Sequence, residues 1–122
     1  MSSDQPDKWA MHAAARDGKL SLFESLLNTD PKSAQRKDRD GRFPLHWAAS
    51  SNQHAIVVLL SEQKAFDPDA QDDSGWSALM IAASIKDGDA VVDTLLQRGA
   101  DVNQKNHNGQ RYTLSHPRTT SR

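Results

Sequence analysis

His12 and His46 are separated by a fixed interval of sequence, and imidazole is the commonest side chain to ligate a transition metal. The same interval counted on from His46 reaches Met80, so a metal-binding set built on this period would lose a member to a thioether. Hydrogen bonding near a helix start explains the pair better, because each neutral ring offers one donor and one acceptor. Two acidic runs, Asp38-Arg39-Asp40-Gly41 and Asp67-Pro68-Asp69-Ala70-Gln71-Asp72-Asp73, suggest calcium loops only faintly. Neither has the spaced ligands and closing glutamate that such a loop needs, whereas Asp and Gly both suit turns. The chain contains no cysteine, which excludes disulfides, thiol catalysis and cysteine-based zinc sites. P-loop, G-x-S-x-G and H-E-x-x-H patterns are absent as well. The expectation is therefore no enzyme, no cofactor and no metal.

The elements around these residues explain the spacing. Gly41-Arg42-Phe43-Pro44-Leu45-His46-Trp47-Ala48-Ala49 recurs as Gly75-Trp76-Ser77-Ala78-Leu79-Met80-Ile81-Ala82-Ala83, and upstream as Trp9-Ala10-Met11-His12-Ala13-Ala14-Ala15. A period of about 33 residues built on G-x-[T]-P-L-H-x-A-A resembles the ankyrin repeat. Each copy starts with a small-residue helix whose alanines allow close stacking. A polar turn follows, then a second helix with apolar residues at i, i+3, i+4 spacing: Leu22, Phe23, Leu26 and Leu27; Ile56, Val57, Leu59 and Leu60; Val91, Val92, Leu95 and Leu96. The third copy has one extra residue in its inter-helix turn, at Asp87-Gly88-Asp89. Gly99 suits the left-handed cap that ends a helix.

The resulting reading is an all-α ankyrin-repeat solenoid of about three helix-turn-helix units with connecting β-hairpin loops. A flank covers 1–7, the repeats cover 8–37, 38–71 and 72–105, and a fourth hairpin starts at 106–110. Residues 111–122 lack a helical apolar period and read as a disordered basic tail. An inner repeat at the end of a solenoid leaves a stacking surface open. Ile85, Val92 and Leu95 are expected to face the missing neighbour, to invite self-association, and to mark the chain as a shortened version of a longer solenoid.

The 122 residues amount to one domain, which buries about 60–70 % of its surface on folding. A net charge of -1 provides no general drive towards nucleic acid or anionic membrane. The only local bias is Lys105, Arg111, Arg118 and Arg122, which follow the last acidic residue, Asp101; they are too dispersed for a nucleic-acid site. No apolar run approaches the roughly 20 residues of a membrane span, and Met1-Ser2-Ser3-Asp4-Gln5 is no signal peptide. A cytoplasmic or nuclear location is expected.

In ankyrin units the hairpin tip and the end of the first helix vary freely and line the concave face. Those positions are Arg39, Asp40, Arg42, Ser50 and Ser51 in the second unit, and Asp73, Ser74, Trp76, Ser84 and Ile85 in the third. Arg16 and Asp17 belong to the first unit, and His107, Asn108 and Gln110 to the stub of the fourth. Arg42 and Trp76 are the expected anchors, since guanidinium groups and large rigid rings dominate interface energies. Packing on the adjacent hairpin is an equal alternative for Trp76, while Trp9 and Trp47 read as packing residues.

A narrower resemblance lies in Asp38-Arg39-Asp40-Gly41-Arg42-Phe43-Pro44-Leu45-His46-Trp47, in Asp72-Asp73-Ser74-Gly75-Trp76 and in Ile81-Ala82-Ala83-Ser84. Over about residues 8–110 the chain is similar to the gankyrin family, the non-ATPase ankyrin chaperones of the 26S proteasome regulatory particle. The resemblance implies a concave face that holds the C-terminal domain of a proteasomal ATPase subunit during assembly, with Arg42 meeting acidic side chains there. Family members have about seven repeats, so the contacts of their later repeats have no counterpart among these three. Other readings are an ankyrin adaptor or inhibitor for another protein such as a kinase, or a non-functional truncated product.

Overall fold

The computed structural model describes residues 9–111. The flank at 1–7 and residues 112–122 of the expected tail lie outside that range. Among the described residues six α-helices follow one another: α1 (Ala10–Asp17), α2 (Leu20–Thr29), α3 (Pro44–Ser50), α4 (His54–Ser61), α5 (Ala78–Ser84) and α6 (Asp89–Gln97). A 3-10 helix, Pro31–Gln35, sits between α2 and α3, with proline at its start, where a missing N–H is no loss.

The helices form two layers. α1 packs on α3 and α3 on α5, while α4 bridges α2 and α6 in the second layer. The alanine pairs make the first layer tight: Ala15, Ala48 and Ala49 are fully buried, and Ala14, Ala82 and Ala83 nearly so. Outer-layer residues fill the space between layers, with Phe23, Val57, Val91, Val92 and Leu95 inaccessible to solvent.

Each pair of helices reverses through a residue in the left-handed region: Gly18 (φ 73°), Asn52 (φ 56°) and Asp87 (φ 64°). Gly, Asn and Asp are the residues that tolerate this conformation at least strain. Asp87 stands one position later than the period requires, and α6 begins one residue late as well, so the extra residue is absorbed inside the turn.

The hairpin loops repeat more strictly. Asp38, Asp72 and Asn106, evenly spaced along the chain, place Oδ1 against two backbone N–H groups of their own turns. The donors are Asp40 and Arg42 (2.9 and 3.1 Å), Ser74 and Trp76 (2.9 Å each), and Asn108 and Gln110 (2.9 Å each). Among the described residues, strand pairing is limited to isolated antiparallel bridges, Gln71 with Ser77 and Lys105 with Arg111. Arg111, expected at the start of the tail, thus closes the fourth hairpin.

The histidines hold these loops to the helices. His46 Nδ1 accepts the Phe43 N–H at 3.1 Å, so Nε2 carries the proton and points at the carbonyls of Ala70 (3.1 Å) and Trp76 (3.0 Å). Burial lowers the pKa of this ring below its usual value, against the opposing pull of Asp72 and the two carbonyls. His12 Nε2 makes the equivalent contact with the Arg36 carbonyl at 2.8 Å. In the third unit the Ser77 hydroxyl caps the Met80 N–H instead, at 3.2 Å.

One expectation about the core fails. Val92 and Leu95 do not face along the solenoid axis; both point inward and are fully buried, and Ile85 is half-buried. Among the described residues the exposed large apolar side chains are Leu20, Leu22 and Val102, so Leu22, one of the apolar residues spaced along α2, lies outside the core. Phe23 and Leu27, four apart, form the inward stripe of α2 and leave Leu22 on its far side.

Candidate protein-binding face

The second and third hairpins and the ends of α3 and α5 enclose a groove of about 560 Å³. Asp38 does not line the groove but holds Trp47, which does: its Oδ2 accepts the indole N–H of Trp47 at 2.6 Å. Burial would raise the Asp38 pKa, but the N–H groups of Arg42, Trp47 and Asp40 outweigh it and hold the carboxyl below its usual range. With its edge fixed in this way, the Trp47 ring lies under the Arg42 guanidinium, 4.9 Å from ring centroid to Cζ. Arg42 Nε also lies 3.6 Å from Asp72 Oδ2, on a side chain only 6% exposed. Asp72 therefore ties two repeats together: one oxygen shapes its own hairpin and the other meets the arginine of the hairpin before.

Of the ten residues of the second and third units expected on the binding face, seven line this groove: Asp40, Arg42, Ser50, Ser74, Trp76, Ser84 and Ile85. Arg39 is exposed at the hairpin tip, and Ser51 is the half-buried residue that ends α3. Asp73 turns the other way, with its carboxylate 3.0 Å from Lys37 Nζ and its N–H donating to the Gly41 carbonyl at 3.2 Å. A Cβ on Gly41 would run into the Asp73 side chain, so the glycine (φ 73°) permits the close approach of the two hairpins.

Sequence reasoning missed Trp47, Asp72 and Ile81 in the lining. Trp47 does pack, as expected, but its ring is also groove surface. Asp72 reads as a turn residue, and only the recurrence of Asp38, Asp72 and Asn106 hints at a fixed role. Ile81, 5% exposed, forms part of the floor.

The arrangement contains no nucleophile paired with a base. Among the described residues no group of three or more His, Asp or Glu could hold a metal ion, and no helix is long and apolar enough to cross a membrane. What the groove offers is an aromatic wall, a partly exposed guanidinium and small hydroxyl residues, a surface suited to another protein's side chains.

The family profile described as "Ankyrin repeats (3 copies)" matches residues 11–106. The chain belongs to the ankyrin-repeat family. This ankyrin-repeat chain is 37% identical over 79 residues to the "Probable 26S proteasome regulatory subunit p28" of Saccharomyces cerevisiae, covering 63% of this chain and 35% of that protein. It is also 37% identical over 84 residues to the "26S proteasome non-ATPase regulatory subunit 10" of Dictyostelium discoideum, covering 69% and 36%. The "Neurogenic locus notch homolog protein 1" of Mus musculus is 31% identical over 101 residues, or 83% of this chain and 4% of that protein. Part of the likeness therefore comes from the repeat itself. The chain spans about a third of the length of the proteasomal relatives.

Proposed function

We propose that this ankyrin-repeat module acts in proteasome regulatory-particle assembly as a gankyrin-like chaperone. Its groove between the second and third repeats would take the C-terminal domain of a proteasomal ATPase subunit, in the cytoplasm and nucleus. A protein-interaction role follows from the repeats. The proteasomal assignment is supported by two relatives at 37% identity whose names place them in the 26S proteasome. The observation that carries the reading is Arg42 spread over Trp47 and loosely paired with Asp72 at 3.6 Å. A partner carboxylate can compete with Asp72 for this guanidinium and gain a two-point contact on it. Trp76 supplies the adjacent apolar anchor.

Calorimetric titration with an isolated proteasomal ATPase C-terminal domain tests this. Trp76→Ala is expected to weaken binding about tenfold or more, as a central aromatic anchor does. Arg42→Ala should weaken binding and flatten its salt dependence. Unchanged affinity in both variants, with circular dichroism showing the helices intact, would remove the groove from the interface. Capture of a kinase in place of an ATPase subunit would move the module to another partner class.

A further inference from the structure

The junction between the first and second repeats is built differently from the one that follows. Between the second and third, Asp69 closes the seam: its Oδ1 accepts the Asp101 N–H at 2.7 Å and its carbonyl accepts Gln104 Nε2 at 2.9 Å. One repeat before Asp69 the same position is held by Gln35, at the end of the 3-10 helix Pro31–Gln35. Among the described residues no hydrogen bond joins that helix to residues 63–67 opposite. The seam stays open as a groove of about 720 Å³, within the roughly 300–1,000 Å³ range of small-molecule sites.

Phe43, Leu45, Leu60 and Phe66 give the groove an apolar lining, and Lys32 and Lys64 are its cations. Both lysines are exposed, and neither forms an ion pair among the described residues. Asp67 is the one acidic residue of the lining, and its Oδ1 is occupied by the Asp69 N–H at 2.9 Å. The lining thus combines an apolar floor with an excess of unpaired positive charge. A protein partner would need on the order of 800 Å² of surface on each side, more than a cleft of this size presents.

We propose that this groove binds a small amphipathic carboxylate, an alkyl chain or aryl ring on the phenylalanine-lined floor with its carboxylate meeting Lys32 or Lys64. The groove shares no lining residue with the one assigned to the protein partner, so this proposal does not rest on that reading.

The test is a ¹⁵N–¹H correlation titration of the full chain with sodium decanoate below its micelle concentration, with decanol as the uncharged control. Saturable shifts are expected at Ala34, Ala65 and Phe66, with Trp76 and Ser84 unmoved. Lys32→Gln and Lys64→Gln should each weaken decanoate by up to about fivefold, the scale of an exposed ion pair, and leave decanol unaffected. Ala34→Trp, which fills the cleft, should abolish the shifts. Equal binding of decanoate and decanol overturns the carboxylate assignment. Absence of saturation, or shifts spread over Leu20, Leu22 and Val102, overturns the site. The lysine variants are surface changes, so the test stands even if Ala34→Trp does not fold.

Discussion

Replacing Asp38 by Asn removes a charge and little else, and the structure says which bond suffers. Oδ1 can go on accepting the Asp40 and Arg42 N–H groups, as the amide oxygen of Asn106 does in the fourth hairpin. The other side of the group becomes an NH₂ facing the indole N–H of Trp47, now held at 2.6 Å by a carboxylate. A hydrogen bond to a charged partner contributes about 1.5–3 kcal/mol. Asp38 is half-buried, so the lower end applies, and Asp38→Asn should destabilise by about 1.5 kcal/mol. For a chain of 122 residues that is a fall in Tm of roughly 6 °C. Trp47→Phe deletes the opposing donor, so the double variant should be about 1 kcal/mol less destabilised than the sum of the singles. Asn106→Asp should be near neutral, because Gln110, whose Oε1 now accepts the Asn106 amide at 2.9 Å, can turn its own amide to donate. The acid limb of stability should flatten too. The depressed Asp38 pKa contributes stability that is complete above its unfolded value, near 3.9, and is lost as pH falls towards the folded value. Urea unfolding of the four variants decides the matter: additive singles, or an Asp38→Asn midpoint equal to the parent's, would refute it.

Two further outcomes follow from burial. His46 is held neutral, so its contribution to stability is complete above an unfolded pKa near 6.5 and declines at lower pH, where the unfolded chain binds the extra proton; the urea midpoint should fall between pH 7.5 and 5.5, and His46→Gln should lessen the slope. Leu95→Ala should remove about 2–5 kcal/mol and Leu22→Ala less than about 1 kcal/mol, since only the first opens a cavity; equal losses by thermal melts would contradict the inward orientation of Leu95.

The repeat period made the six helices legible, and the extra residue at Asp87-Gly88-Asp89 announced the late start of α6. Orientation was harder to read. Apolar spacing marks a face, but Leu22 and Phe23 are neighbours in sequence and only packing decides which of them is covered. Val92 and Leu95 were misassigned because an outer helix turns its main apolar stripe towards its own repeat and the previous one. The groove was legible at the variable positions and not at Asp72, whose second oxygen meets Arg42 across a repeat boundary. The 3-10 helix Pro31–Gln35 departs from the repeat pattern, so no copy elsewhere among the described residues foretold the open seam beside it.

The hairpins have a consequence for how this molecule can change. In each one, a single carboxylate or amide oxygen folds the loop by gripping main-chain N–H groups, which every residue but proline has. The side chains at 39, 40, 73, 74, 107 and 108 are left out of that grip, apart from the contact of Asp73 with Lys37. Drift at the loop tips is thereby uncoupled from folding, and new affinities can be sampled one tip at a time while the helices beneath keep their register. Randomised libraries at these positions, with Asp38, Asp72 and Asn106 kept constant, would inherit the same freedom.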